Sequence, residues 1–481
     1  MSEDRRARVE YQEVDRDYLE HRQLRRGAAG WVLLAGLGVS YVISGDFAGW
    51  NLGLDKGGWG GLLIATVLMA LMYTCMVFGL AEMASALPVA GAGYGFARRA
   101  LGPTGGFATG TAILIEYAIA PAAIAVFIGG YVESLGLFGL TTSRPIYLAC
   151  YLIFIGIHIW GVGEALRLMF VITAVAVVAL VVFVVGMVPS FSTDKLFDIA
   201  PTDAAGASHF LPYGFAGLLA ALVYGIWFFL AIEGVPLAAE EARDPKRDLP
   251  RGIIAGMGAL LVFAAAVLLV APGGAGSSTI ATSDNPLPLA AREAFHGDNV
   301  LAQFVNYVGL AGLVASFFSI IYAYSRQLFA LSRAGYLPRW LSVTGSRKTP
   351  YLALIVPGTV GFLLAAITQD GGKLINIAVF GATVSYVLLN VSHIVLRIRE
   401  PELPRPYRAP GGAVTTGIAA VLAVAAVVAT FFVDEVAAAI TAGILLVALG
   451  YFWLYSRHRL VANAPEEEFA AIAKAESDLA D

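Results

Sequence analysis

Three acids sit inside stretches of sequence that are otherwise apolar. Asp46 lies in Val42-Ile43-Ser44-Gly45-Asp46-Phe47-Ala48-Gly49, Glu116 in the run 105–135, and Glu233 in Ala231-Ile232-Glu233-Gly234-Val235-Pro236. A carboxylate is expensive among apolar side chains in a membrane, so acids there mark partners, cavities or ligand paths. Two of the three stand beside glycines, which adopt non-helical backbone angles easily, and Pro236 is placed to start a second half-helix, where no N–H is needed. Unwound backbone at membrane depth is tolerated only where it lines a cavity or is packed in protein. The breaks at 42–49 and 231–236 therefore mark a binding site. The competing reading is that each glycine allows close helix packing and each acid caps a neighbouring helix end; two breaks at matched places weigh against it.

These residues need helices to hold them. With 481 residues, 58% of them hydrophobic and 14% charged, and a mean hydropathy of +0.75, the chain has more apolar surface than a soluble core can hide. The apolar residues arrive in about twelve runs of roughly the length that crosses 30 Å of hydrocarbon: 29–54, 60–87, 105–135, 146–162, 168–188, 215–239, 253–271, 300–331, 352–368, 374–396, 413–433 and 436–455. The expected fold is an all-α polytopic membrane protein. The breaks fall in the first and sixth runs, which fits two inverted repeats of five helices followed by two more. The expected divisions are a cytoplasmic segment 1–28, a first repeat 29–188, a second repeat with its loops 189–396, a final helix pair 397–456 and a cytoplasmic tail 457–481.

With the amino terminus inside, the outer loops receive only Lys56, Arg144, Lys195, Arg292 and Lys373. The other lysines and arginines fall inside, Arg326 being counted with the nearby loop, as the positive-inside rule requires. Both termini are then cytoplasmic. The net charge of −4 gives no argument for nucleic acid, and the charged start 1–26 has no signal-peptide pattern. Cys75 and Cys150 lie in apolar runs and read as small hydrophobes. His158 and His393, the two histidines within helices, have no second His at metal-ligand spacing, and no nucleophile motif is present. An enzyme is not expected, nor a cofactor or resident metal.

Further stretches carry a family likeness. Leu80-Ala81-Glu82-Met83-Ala84-Ser85-Ala86-Leu87-Pro88 leads into Gly91-Ala92-Gly93-Tyr94-Gly95-Phe96-Ala97-Arg98-Arg99-Ala100-Leu101-Gly102; Ala239-Glu240-Glu241-Ala242-Arg243-Asp244-Pro245 follows the sixth run, and Ser325-Arg326-Gln327-Leu328-Phe329-Ala330-Leu331-Ser332-Arg333-Ala334-Gly335-Tyr336-Leu337-Pro338 leads past the eighth. Across 25–455 the chain resembles the amino acid, polyamine and organocation permeases. Through Tyr41-Val42-Ile43-Ser44-Gly45-Asp46-Phe47-Ala48-Gly49-Trp50-Asn51 and Ile115-Glu116-Tyr117-Ala118-Ile119-Ala120-Pro121-Ala122-Ala123 it resembles the ethanolamine permeases among them. The resemblance implies a leucine-transporter-type fold, a bacterial-type cytoplasmic membrane and alternating-access import of a small solute. Amino acid members usually carry a Gly-Ser-Gly-Ile-Phe type of run at the first break, whose N–H groups receive the substrate carboxylate. Here Asp46 stands where an apolar residue is expected. Two unit charges about 4 Å apart interact by roughly 4 kcal/mol at an effective dielectric near 20, enough to turn away a substrate carboxylate by more than about a hundredfold. The same field, with the carbonyl ends of the half-helices, attracts an ammonium.

The implied substrate site is Ser44, Gly45, Asp46, Phe47, Glu116, Trp227, Ala231, Glu233 and Tyr322, with the ammonium near Asp46 and with Glu116 and Glu233 as second acids. For Glu116 a hydrogen-bonded structural role is the alternative. Glu82 and Phe228 are expected at gates, a solvated surface position being the alternative for Glu82. Trp227, Phe228, Phe229, Phe47, Tyr322 and Tyr324 offer cation–π attraction of about 0.5 to 2 kcal/mol, although helical spacing keeps the first three from sharing one cavity. The coupling ion stays open: Ala176 stands where some proton-coupled relatives carry a lysine, Ser316 and Ser319 offer oxygens to sodium, and an acid buried among acids can carry a proton. Choline, polyamines or amino acids are the rival substrates; the oligomeric state is not legible.

Overall fold

Hydrocarbon offers no partner to backbone N–H and C=O groups, so apolar runs of this length must satisfy their own as helices. The computed structural model describes residues 2–4, 9–12, 18, 29–88, 91–136, 142–297, 299–461 and 464. Its principal helices are α1 (Trp31–Val42), α2 (Ser44–Phe47), α3 (Leu52–Ala86), α4 (Ala92–Ser134), α5 (Arg144–Trp160), α6 (Val162–Met187) and α7 (Gly214–Trp227). After a 3-10 segment, Ile232–Glu241, come α8 (Pro245–Ala275), α9 (Val300–Arg333), α10 (Tyr351–Thr368), α11 (Gly371–Arg399), α12 (Ala413–Val433) and α13 (Glu435–Leu454). Among the described residues ten helices are long and apolar enough to cross a membrane, and α1 and α5 are shorter apolar helices. Strand β1 (Ser2–Asp4) pairs antiparallel with β2 (Val9–Gln12), and β2 pairs parallel with β3 (Leu460–Val461), so residues 9–12 lie beside the stretch that follows α13. Most of 1–28 and of the tail 457–481 lies outside the described residues.

Two of these spans are kinked: 52–86 breaks at Gly58 (φ 65°) and 92–134 at Gly102 (φ 78°), non-helical positions that suit glycine, and both begin before the runs 60–87 and 105–135 read from the sequence. Burial sorts the bundle: 89% of the most apolar window of α4 is buried, against 33% for α6 and 28% for α13. Helix α4 is therefore central, while α6 and α13 present a face to lipid, and on α6 Val171, Val175, Val178, Val182 and Val185 are exposed at helical spacing. Lipid tails are as apolar as these side chains, so close packing rather than the hydrophobic effect holds the helices together. At Gly225 an added Cβ would stand 3.0 Å from the Ala65 carbonyl group, which is how α7 and α3 come so close.

Candidate functional site

The first break begins where α1 stops at Val42. The chain makes the single turn α2, becomes extended at Ala48 (φ −159°, ψ 159°), turns through Gly49 (φ 92°) and enters α3. Side chains from other helices take up the freed carbonyls. The Trp227 indole N–H donates to Ala48 O at 2.9 Å and the Tyr131 hydroxyl to Phe47 O at 2.9 Å. Ser316 Oγ donates to Tyr41 O at 2.6 Å; its proton is thereby spent, so Ser44 Oγ donates to Ser316 Oγ at 2.8 Å. Phe47 packs where Gly309 and Gly312 leave room on α9. Asp46 is fully buried, and neither carboxylate oxygen has a hydrogen-bond partner among the described residues.

The second break begins after Trp227. Residues 228–230 turn, Ala231 takes a left-handed φ of 77°, and the chain resumes as a 3-10 segment with Pro236 inside it. Sequence reasoning expected Pro236 to open the second half-helix. The difference is physical: the 3-10 bonding starts at Ile232, so the missing N–H of Pro236 falls in mid-segment. A non-glycine residue at positive φ is strained, and such strain collects at functional sites. Around the break Trp50 stacks on Phe228 (5.5 Å between centroids) and Phe229 meets Tyr73 (5.5 Å). The three consecutive aromatics thus serve different contacts, as helical spacing required.

The structure gathers Glu116 and Glu233 around one tyrosine hydroxyl, and neither bonds to Asp46. The Tyr117 hydroxyl donates to Glu233 Oε1 at 2.8 Å, and the Tyr386 hydroxyl lies 3.2 Å from Glu233 Oε2 and 3.3 Å from Glu116 Oε1. The Tyr73 hydroxyl donates to that of Tyr386 at 2.9 Å. The expected cluster of three acids is therefore two poles, a lone Asp46 at the first break and a carboxyl pair at the second. Tyr73, Tyr117 and Tyr386 were all missed from sequence; nothing local marks Tyr73 and Tyr386, whereas Tyr117 carried a signal in its place next to Glu116.

Tyr322 has its hydroxyl committed: it donates to Glu241, whose other oxygen accepts from Arg326 Nη2 at 2.7 Å, and the Arg326 guanidinium lies 4.5 Å from the Tyr322 ring centroid. Arg326, counted with a loop in the sequence reading, is instead buried within α9, because Glu241 neutralises it there. Tyr324 donates to Leu354 O at 3.0 Å. Ser319 bonds Ser40, Ala315 O and the Met169 sulfur, and Ala176 packs beside Gly312.

Glu82 is buried, not solvated. Its Oε1 accepts from Arg397 Nε at 2.9 Å and lies 3.0 Å from Arg405 Nε and 3.2 Å from His393 Nε2. Its Oε2 accepts from Arg397 Nη2 and from the Ala409 N–H at 2.7 Å. One carboxylate thus ties the end of α3 to the end of α11 and to the loop before α12. A cavity of about 450 Å³ lies beside the small sheet, lined by Gln12, Arg339, Trp340 and Arg459 among others and by neither break. Cys75 and Cys150 are free and buried, and no group of His, Cys, Asp and Glu fit to hold a metal occurs among the described residues.

Comparison with known proteins adds the following. A family model described as amino acid permease matches residues 31–454. An uncharacterised transporter of Rhizobium meliloti is 31% identical over 82% of this chain and 84% of its own length. A branched-chain amino acid permease of Bacillus subtilis is 29% identical over 84% of this chain and 87% of its own. A methylthioribose transporter of Bacillus subtilis is 25% identical over 78% and 80% respectively.

Proposed function

The chain belongs to the amino acid permease family, whose named relatives are transporters and not enzymes, and from that premise we propose that it imports a small cationic amine, ethanolamine fitting best. The observation that carries this reading is Asp46: a buried carboxylate at a helix break with no partner for either oxygen among the described residues. A buried charge without a partner is costly, and a bound ammonium removes the cost. Glu116 and Glu233 make the opposite break acidic as well, so a substrate carboxylate has no welcoming side. The names of the relatives span a branched-chain amino acid and methylthioribose; family membership leaves the substrate open, and the charge of the site selects the amine.

The ten long helices and two shorter ones fit twelve spans arranged as two inverted repeats of five and a final pair, with the breaks α1–α2 and α7–Ile232 at corresponding places. Arg98, Arg333 and Arg339, which bond Tyr11, Tyr18 and Gln12, favour a cytoplasmic position for both termini in the inner membrane. The network on Glu82 and the Glu241–Arg326 pair suit an inner gate.

The test is uptake of labelled ethanolamine by purified protein in liposomes, with unlabelled ethanolamine, choline, putrescine, serine and glycine as competitors. Ethanolamine should compete best. Glycine competing as strongly as ethanolamine would remove the carboxylate-repulsion argument and leave an amino acid permease.

A further inference from the structure

The stretches of chain that follow α9 and α13 are tied together: the Val461 N–H donates to Ala334 O at 3.0 Å and Ser456 Oγ to Tyr336 O at 2.6 Å. Gln12 of β2, Arg339 and Trp340 after α9, and Tyr455 and Arg459 after α13 line the cavity of about 450 Å³, a size that takes a small ligand or a headgroup. Its lining carries two arginines and no acid among the described residues. Arg339 is positioned by its neighbours: Nη2 donates to Gln12 Oε1 at 2.7 Å and to Arg459 O at 3.1 Å. The Arg459 guanidinium lies 4.1 Å from the Tyr455 ring centroid, and Nη1 donates to the Tyr455 hydroxyl. No carboxylate pairs with Arg459 among the described residues, and its other side-chain donors have no acceptor there. Glu10, on the same strand as Gln12, pairs with His458 Nδ1 at 3.1 Å instead.

A planar guanidinium with unspent N–H groups matches the oxygens of a phosphate. The position of the cavity narrows the source of that phosphate. Two membrane-length helices have just ended beside it, at Arg333 and Leu454, and the surface there is apolar and aromatic: Leu454 is 85% exposed and Trp340 53%, with Trp453 and Tyr455 exposed as well. Aromatic rings gather at headgroup level, and basic pockets at helix ends take anionic lipid headgroups. A free phosphate gains nothing from exposed Leu454 and Trp340, whereas acyl chains cover them. Arginines placed after helix ends also offset the carbonyl ends of α9 and α13, which by themselves repel an anion; that duty alone needs neither a cavity nor an aromatic rim.

We propose that this cavity binds the phosphate of an anionic phospholipid, with Arg459 and Arg339 on its oxygens and with Trp340 and Leu454 against the start of its acyl chains. The bound lipid joins strand β2, the stretch after α9 and the stretch after α13, and so stabilises the folded protein by mass action.

The test is native mass spectrometry of the purified full-length protein with added phosphatidylglycerol or phosphatidylcholine, which share the phosphate and differ in net charge. Wild type should retain a first phosphatidylglycerol at least about fivefold better than phosphatidylcholine. The preference should be lost in Arg459→Gln, weakened in Trp340→Ala, and kept in Arg347→Gln, whose guanidinium lies over Trp160 outside the cavity. Equal retention of the two lipids by wild type would overturn the site, as would an equal loss in Arg347→Gln or a preference unchanged in both cavity variants. Should Arg459→Gln fail to fold, Trp340→Ala decides. Inorganic phosphate separates the two sources: the thermal midpoint of lipid-free protein should rise with phosphatidylglycerol and stay unchanged with phosphate. A rise with inorganic phosphate and none with phosphatidylglycerol would give the cavity to a free phosphate and overturn the lipid.

Discussion

A Cβ added at Gly45 would stand 2.4 Å from the main-chain oxygen of Trp227. The two helix breaks therefore meet backbone against backbone, and the Trp227 indole reaches back over the contact to Ala48 O at 2.9 Å. The unwound residues of both interrupted helices form one unit, with Asp46 one residue beyond the contact. Motion at either break must be felt at the other.

The first prediction concerns that contact. In Gly45→Ala the added methyl meets a carbonyl that cannot rotate away, so α2 and the end of α7 must separate. Overpacking of this kind costs typically 1–3 kcal/mol. Thermal unfolding in detergent should show a clearly lower midpoint than wild type, with uptake lost. A variant as stable and active as wild type would mean that the breaks do not touch as described.

A second prediction follows from Glu82, the centre of a buried ionic knot with Arg397, Arg405 and the Ala409 N–H. Glu82→Ala leaves Arg405, whose side chain is 8% exposed, without its carboxylate. Removing one partner of a buried pair costs about 3–5 kcal/mol. The loss should appear in chemical denaturation, and amide exchange should rise at the ends of α3 and α11 before it rises in α4. Unchanged exchange at those ends would show that the knot holds nothing.

The third concerns pH. Asp284, in the loop before the short helix Pro286–Ala294, keeps an exposed edge, yet loss of hydration and then the nearby Asp370 and Glu133 push it from 3.8 to about 6. The native arrangement thus holds this proton more tightly than the unfolded chain does. The stabilisation is complete below about pH 4 and is lost as pH rises through about 6. Protection of segment 277–294 against amide exchange should fall across that window in wild type and stay flat in Asp284→Asn. Equal pH profiles for the two proteins would exclude Asp284 as the group responsible.

The breaks were legible because glycine beside an acid in an apolar run has few other uses, and the described helices interrupt at 43 and 228–231 as those residues implied. The pairing of Glu116 with Glu233 was not legible. Their helices are far apart in sequence, and only the packing of α4 and α11 against the break brings Tyr386 between the two acids. Arg326 was misplaced for a related reason. A charge near the end of an apolar run reads as loop, and sequence alone does not reveal that Glu241 awaits it inside. Tyr322 was chosen for its ring, while its hydroxyl turned out to be engaged by Glu241.

The account turns on Asp46, and the direct measurement is equilibrium binding of labelled ethanolamine to purified wild type and Asp46→Asn, with thermal midpoints recorded alongside. The carboxylate has no partner among the described residues, so the variant should be at least as stable as wild type without ligand. Its affinity should nevertheless be about a hundredfold weaker, a loss of about 2.8 kcal/mol. A folded Asp46→Asn that binds ethanolamine as tightly as wild type would contradict the account.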